Sequence, residues 1–242
     1  MIQYFYNLIK KMIEQKSGFI LINKQPGPTS FGVISALRKI TDIKKIGHTG
    51  TLDPFAEGLL LIAIGRESTK KITGMVKHDK EYIADLKLGF QTETMDTESE
   101  EEKINPEMIK KLTDEKIKKV LENFVGDQEQ TPPMYSAKKI NGQKLCDLAR
   151  KGIEVERKPN KIKIHELEMI KFEPEKNSLQ VRVKCSSGTY IRVLAQDIGK
   201  VLEAGAYLTR LVRTKIDKYK IEDSITLDEL TNDNWGKHIF NI

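Results

Sequence analysis

Gly47-His48-Thr49-Gly50-Thr51-Leu52-Asp53-Pro54-Phe55-Ala56-Glu57-Gly58 leads without a break into Leu59-Leu60-Leu61-Ile62-Ala63-Ile64-Gly65. Three glycines, two threonines and a proline make the first stretch an irregular loop, because glycine frees the backbone for positive φ and proline fixes its own. The apolar run that follows, bounded by Gly58 and Gly65, reads as a buried strand. Asp53 sits on the loop with Pro54 directly after it. A carboxylate on a stiff loop braced by a core strand is one way to hold a nucleophile or a general acid–base. An Asx-turn, with Asp53 capping a bend through local hydrogen bonds, would account for the aspartate alone. The segment is longer and more specific than such a turn requires.

Outward from this stretch, a strand is expected over residues 18–23, stopped by Gln25-Pro26-Gly27-Pro28, with Thr29 or Ser30 capping a helix from 31 to 40. A short helix is expected at 70–76. Residues 80–89 alternate polar and apolar side chains, as a half-buried strand does. Residues 91–105 are polar and acidic and read as a mobile surface loop. Helices are expected at 106–112, 114–124, 143–151 and 189–202, and a short one at 225–230. Strands are expected at 135–140, 153–156, 162–172 and 179–185, with Asn141-Gly142 marking a hairpin turn. Residues 206–216 close the core. Mixed strands and helices without regular βαβ spacing predict an α+β fold on a mixed, largely antiparallel sheet flanked by helices. Residues 1–17 read as an N-terminal extension, a short packing helix or a leader ahead of a start at Met12. Residues 18–242 read as one domain with an inserted basic arm at about 91–160.

The 242 residues carry a net charge of +6, with 38% hydrophobic and 31% charged residues. Residues 138–163 hold nine Lys/Arg against three Asp/Glu, whereas 91–103 hold six acidic residues against one basic. Such asymmetry fits a polyanionic partner met by one region and avoided by another. No apolar run reaches the roughly 18 residues that a membrane span needs, and the first residues lack the order of a secretory signal. Cys146 and Cys185 lie far apart with no Cys-x-x-Cys, which argues against a zinc site or a disulfide framework and fits a reducing cytoplasm.

The loop Gly47–Pro54 closely resembles the catalytic loop of the tRNA pseudouridine synthases of the TruB family, eight consecutive positions with Asp53 at the essential aspartate. The resemblance runs from about Gly18 to Ile216 and implies the pseudouridine-synthase fold with an inserted RNA-binding arm. It implies isomerisation of a uridine in the tRNA T loop, position 55, to pseudouridine: the target is flipped out, its glycosidic bond broken and the base rejoined through carbon 5. Such a reaction needs no redox cofactor, nucleotide or metal. Whether Asp53 attacks C1′, adds to C6 or assists a glycal route stays open.

By the same resemblance Ser187-Gly188-Thr189-Tyr190-Ile191-Arg192 supplies Arg192 as partner of the catalytic aspartate and Tyr190 as a pocket wall. Tyr82 matches the tyrosine stacked on the target base and implicated as a base, although a free phenol, with pKa about 10, is a poor base at neutral pH. His48 matches a histidine that packs where the target nucleotide has been vacated, and Leu211 an apolar residue against the base. Lys24 and Gly27 match a Lys-Pro-x-Gly motif, here ordered Lys24-Gln25-Pro26-Gly27. Lys138, Lys139 and Lys144 match the stretch that holds the RNA arm through phosphates. The 31 residues after Leu211 are too few for the PUA-type domain of many bacterial relatives. A tRNA-folding chaperone, a guide-RNA-dependent synthase sharing Thr-Leu-Asp-Pro, and an aspartate-based hydrolase are the competing functions. The expected protein is a cytoplasmic monomer that acts on the tRNA T-stem loop with no protein partner and no membrane.

Overall fold

A computed structural model describes residues 17–242; the helix expected within residues 1–16 lies outside them. The strands are β1 (Gly18–Lys24), β2 (Ile46–His48), β3 (Glu57–Ile64), β4 (Lys80–Leu88), β5 (Phe90–Thr92), β6 (Glu101–Lys103), β7 (Gly126–Gln130), β8 (Lys139–Ile140), β9 (Gln143–Lys144), β10 (Asn160–Glu173), β11 (Ser178–Cys185), β12 (Ala206–Ile216) and β13 (Tyr219–Lys220). The α-helices are α1 (Ser30–Thr41), α2 (Arg66–Met75), α3 (Asp114–Glu122), α4 (Leu145–Ala149) and α5 (Ile191–Val201). The chain divides into two compact units, one running up to Lys80 and including Val212–Ile242, the other Glu81–Leu211.

In the first unit β3 is the central strand. It pairs antiparallel with β1 from Gly18↔Ile64 to Lys24↔Gly58. Along its other edge lie β2, antiparallel with His48 opposite Ile62, and the end of β12, parallel with Arg213 opposite Gly58. Its unbroken apolar sequence is what a strand buried on both faces requires, and every residue from Gly58 to Ile64 is buried. Leu59, Leu61 and Ala63 pack with Phe19, Leu21, Met75, Ile216 and Tyr219. At roughly 1.5–3 kcal/mol for each large side chain removed from water, this run fixes the strand that follows the Asp53 loop. Helix α1 starts where Thr29 accepts a hydrogen bond from the Gly32 N–H at 2.9 Å and buries Val33, Ile34 and Leu37. Helix α2 begins at Arg66, ahead of the expected 70, because Gly65 at φ 83° turns the chain directly out of β3.

The second unit carries the strand order β12-β4-β11-β10-β7. Its β10–β11 and β10–β7 ladders are antiparallel, and the first contains two register shifts. Strand β4 alternates between buried and half-exposed positions after Tyr82, as its sequence predicts. Helix α3, capped by Thr113, packs on β10 and against α5. Three local expectations fail here. Residues 91–105 are a loop only in part: β5 and β6 pair as a hairpin around residues 93–100, and Thr92 at the end of β5 and Thr94 and Asp96 in the turn are buried. Of residues 135–140 only Lys139–Ile140 pairs, with β9, around Asn141 at φ 50° and Gly142 at φ 82°. Residues 153–156 form no strand; Ile153 is exposed and the stretch follows a left-handed turn at Gly152.

Gly199 of α5 marks a tight crossing. A Cβ there would lie 2.3 Å from the backbone N of Ala206. Helix propensity alone makes Gly→Ala stabilising by about 1 kcal/mol. The backbone overlap reverses the sign, so Gly199→Ala should lose about 1–3 kcal/mol. A thermal melt at or above that of the parent would contradict the close packing.

Candidate active site

The loop between β2 and β3 has little secondary structure of its own, and its backbone is held from several directions by the rest of the first unit. Ser30, the first residue of α1, accepts from the Leu52 N–H at 2.8 Å and donates to the Leu52 carbonyl at 3.0 Å. Leu52 itself is buried in the core, so the residue before Asp53 is anchored by both backbone and side chain. The Gly27 N–H donates to the Pro54 carbonyl at 2.9 Å, which ties the Lys24-Gln25-Pro26-Gly27 turn to the residue after Asp53. Asp53 is half-buried between these anchors, and its own carbonyl accepts from the Ala56 N–H at 3.2 Å.

Two buried cations complete the frame. Lys24 is 1% exposed, and its ammonium donates to the carbonyls of Gln25, Pro54 and Ala56. It therefore lies beneath the loop and holds the backbone immediately after Asp53. Arg213 is equally buried, donating from Nε to Leu59 O at 2.7 Å, from Nη1 to Thr51 O at 3.3 Å and from Nη2 to Gly50 O at 3.1 Å. Burial lowers the Lys24 pKa to about 8; the carboxylates of Asp53 and Glu57 pull it back up and Arg213 pushes it further down. His48, at the entry to the loop, has its imidazole pKa lowered by burial and then by Arg213, which favours the neutral ring. Its Nδ1 and the hydroxyl of Thr49 are buried without a hydrogen-bond partner among the described residues.

The second unit presents a different cluster. Arg192, near the start of α5, is 3% exposed. Its Nη1 lies 3.2 Å from Asp96 Oδ2 and donates to Thr94 O at 2.7 Å, while Nη2 donates to Tyr135 O at 2.6 Å. Asp96 is held in turn by the Thr94 hydroxyl at 2.6 Å and the Glu98 N–H at 2.9 Å. The acidic hairpin and the Pro-rich stretch after β7 are thus ordered around one guanidinium. Tyr190 precedes α5 and is clamped through its backbone by Gln130, whose amide accepts from Tyr190 N at 2.8 Å and donates to Tyr190 O at 3.1 Å. Tyr82 on β4 and Leu211 on β12 are both buried. Lys138 donates to Asn160 Oδ1 at 2.9 Å, and Lys139 faces Lys144 directly across the β8–β9 hairpin.

Arg213 and Asp96 lie outside the motifs that point to the site in the sequence. Arg213 shares the inward side of β12 with Leu211, an unusual place for an arginine and a signal open to inspection. Asp96 is masked by the acidic residues around it. Among the described residues no group of three or more His, Cys, Asp or Glu is arranged to hold a metal ion, and no helix is long and apolar enough to cross a membrane.

The fold, an α+β arrangement with a largely antiparallel sheet, is that of pseudouridine synthases. The chain superposes with a TM-score of 0.69 and 29% identity on a chain in a crystal structure of a Cbf5-Nop10-Gar1 complex, covering 90% of this protein and 54%, about half, of that longer chain. Residues 38–191 match the TruB family pseudouridylate synthase N-terminal domain, and residues 192–238 match the tRNA pseudouridylate synthase B C-terminal domain. Over 221 residues the sequence is 48% identical to tRNA pseudouridine synthase B of Desulfotalea psychrophila, covering 90% of this chain and 89% of that one. The enzyme of the same name from Endomicrobium trichonymphae is 45% identical over 208 residues, covering 86% and 88%. The protein belongs to the TruB family of pseudouridylate synthases.

The placement of Lys24 makes the loop sensitive to pH. As pH rises through about 8 its ammonium loses a proton and one of three donors, and its hold on the backbone beside Asp53 weakens. Its folded pKa lies below the ordinary 10.5, so the unfolded chain binds the proton more tightly between about 8 and 10.5. The contribution of this group to stability therefore improves, not worsens, with rising pH across that window. The expected signature is turnover that declines above about pH 8 while the melting temperature, referenced to Lys24→Met, does not decline with it. A turnover profile flat to about pH 9.5 would remove Lys24 from the control of the loop.

Proposed function

We propose that this protein isomerises uridine 55 in the T loop of tRNA to pseudouridine, with Asp53 as the essential carboxylate. In that reaction the N1–C1′ bond breaks, the uracil turns, and a C5–C1′ bond forms, while a proton leaves C5 and another is gained at N1. Nothing is oxidised. The observation that carries the proposal is the rigid presentation of Asp53, whose flanking residues Leu52 and Pro54 are fixed by Ser30, Lys24 and Gly27 in a family of pseudouridylate synthases. A carboxylate that must meet one atom of a flipped nucleoside gains rate from being held in place before the substrate arrives.

In this proposal Tyr82 stacks on the target base, Arg192 serves as ionic partner of the catalytic aspartate in addition to its bond with Asp96, Tyr190 and Leu211 line the base pocket, and neutral His48 fills the space left by the flipped nucleotide. Lys24 acts from below the loop. The arm at residues 91–160 grips the RNA. Lys139 and Lys144 support this role, because like charges placed directly opposite in a hairpin are unfavourable until an anion lies over them. The enzyme works as a cytoplasmic monomer without cofactor, metal or protein partner.

Incubating the purified protein with an unmodified tRNA transcript and mapping pseudouridine by chemical labelling tests the proposal. Asp53→Asn should lower product formation by more than about 1,000-fold while tRNA still binds. Product at or near the parent rate would remove Asp53 from the mechanism. Changing Lys139 and Lys144 to Gln should weaken tRNA binding and lower the slope of log K against log salt by about 1 for each lysine. An unchanged slope would place the phosphate contacts elsewhere.

A further inference from the structure

We infer that Arg213 is a positioning residue for the Asp53 carboxylate, closing the catalytic loop at both of its ends. The inference rests on the reading of Asp53 as the catalytic carboxylate. Side chain and backbone of Arg213 act together. The guanidinium bonds the carbonyls of Gly50 and Thr51, on the approach to Asp53, and of Leu59, on the strand that leaves it. The backbone of Arg213 lies against Gly58 in the parallel register between β12 and β3. At Gly58, with φ +103°, a Cβ would lie 2.5 Å from Arg213 O and 2.8 Å from Arg213 N, so only glycine allows the approach. One residue thus fixes positions 50, 51, 58 and 59, and the arc that remains between them contains Asp53.

Arginine is suited to this task. A planar guanidinium offers five N–H donors in a fixed fork, whereas an ammonium is a point donor on a flexible stem. A buried cation costs several kcal/mol unless its donors are satisfied, and here three backbone carbonyls, one on each nitrogen, offset that cost. Its charge also reaches the neighbouring groups, since it is a cause of the depressed pKa of both His48 and Lys24. Removing the fork and removing the charge are therefore separable changes.

The test uses Arg213→Gln and Arg213→Lys in the full chain, with single-turnover pseudouridine formation, tRNA Kd and the His48 imidazole pKa by NMR as readouts. Both variants should slow single turnover by about tenfold or more, with tRNA Kd within about threefold of the parent. The His48 pKa should rise in Arg213→Gln and stay near the parent value in Arg213→Lys, which keeps the charge but not the fork. A lost contact that merely lowers stability would not slow single turnover in the folded variants at an unchanged tRNA Kd, and the His48 titration separates loss of the charge from loss of the fork. Parent-like turnover in either folded variant overturns the inference, as does a loss of tRNA affinity as large as the loss of rate. If Arg213→Gln fails to fold, Arg213→Lys carries the decision alone. A parent protein that forms no pseudouridine overturns the function proposed for Asp53 instead, and the His48 titration still reports whether Arg213 sets the charge state of the loop.

Discussion

Backbone carbonyls of the Asp53 loop are tied to two buried cations, and the arrangement of the first unit depends on that bonding. A loop rich in glycine and threonine has many conformations of similar energy, and its chain entropy opposes any single one by about 1–2 kcal/mol per residue. Few of its own side chains can repay that cost. Lys24 and Arg213 repay it from outside, each burying a charge whose donors find the loop carbonyls. The exchange is mutual, since those carbonyls would otherwise lose water and the cations would otherwise be unpaired.

The strand behind the loop makes this bonding possible. Strands β1 and β12 pair along the two edges of β3, and they carry Lys24 and Arg213 to the same few residues. Lys24 stands opposite Gly58 on one side and Arg213 stands opposite Gly58 on the other. That glycine is where the core ends and the loop begins. Hydrophobic burial sets the position of the frame, and polar bonding then sets the shape of the loop that it carries.

The second unit applies the same principle with a different partner. Arg192 is buried with a carboxylate, Asp96, and two backbone carbonyls, so the acidic hairpin is folded around a charge instead of being left in solvent. Acidic residues crowded in sequence suggest repulsion and disorder. One cation at the centre, with the Thr94 hydroxyl and the Glu98 N–H satisfying the other oxygen of Asp96, turns that local repulsion into a defined turn.

Periodicity and punctuation in the sequence determined the long elements: β1, α1, β3, β4, β10, β11 and α5 follow from apolar runs, alternation and caps that act over a few neighbouring residues. The Asp53 loop and its likeness to one enzyme family were legible for the same reason, since the motif is contiguous. Short strands, the acidic hairpin and the irregular stretch at 153–156 were not, because their structure depends on partners distant in the chain. Tertiary structure alone decided that Lys24 lies beneath the loop, that Arg213 joins it across 154 to 163 positions of sequence, and that Asp96 is a buried partner of Arg192. A local sequence states which side chains could carry charge into a core. Only the completed fold determines which carbonyls they meet there, because that depends on strand order and register across the whole chain.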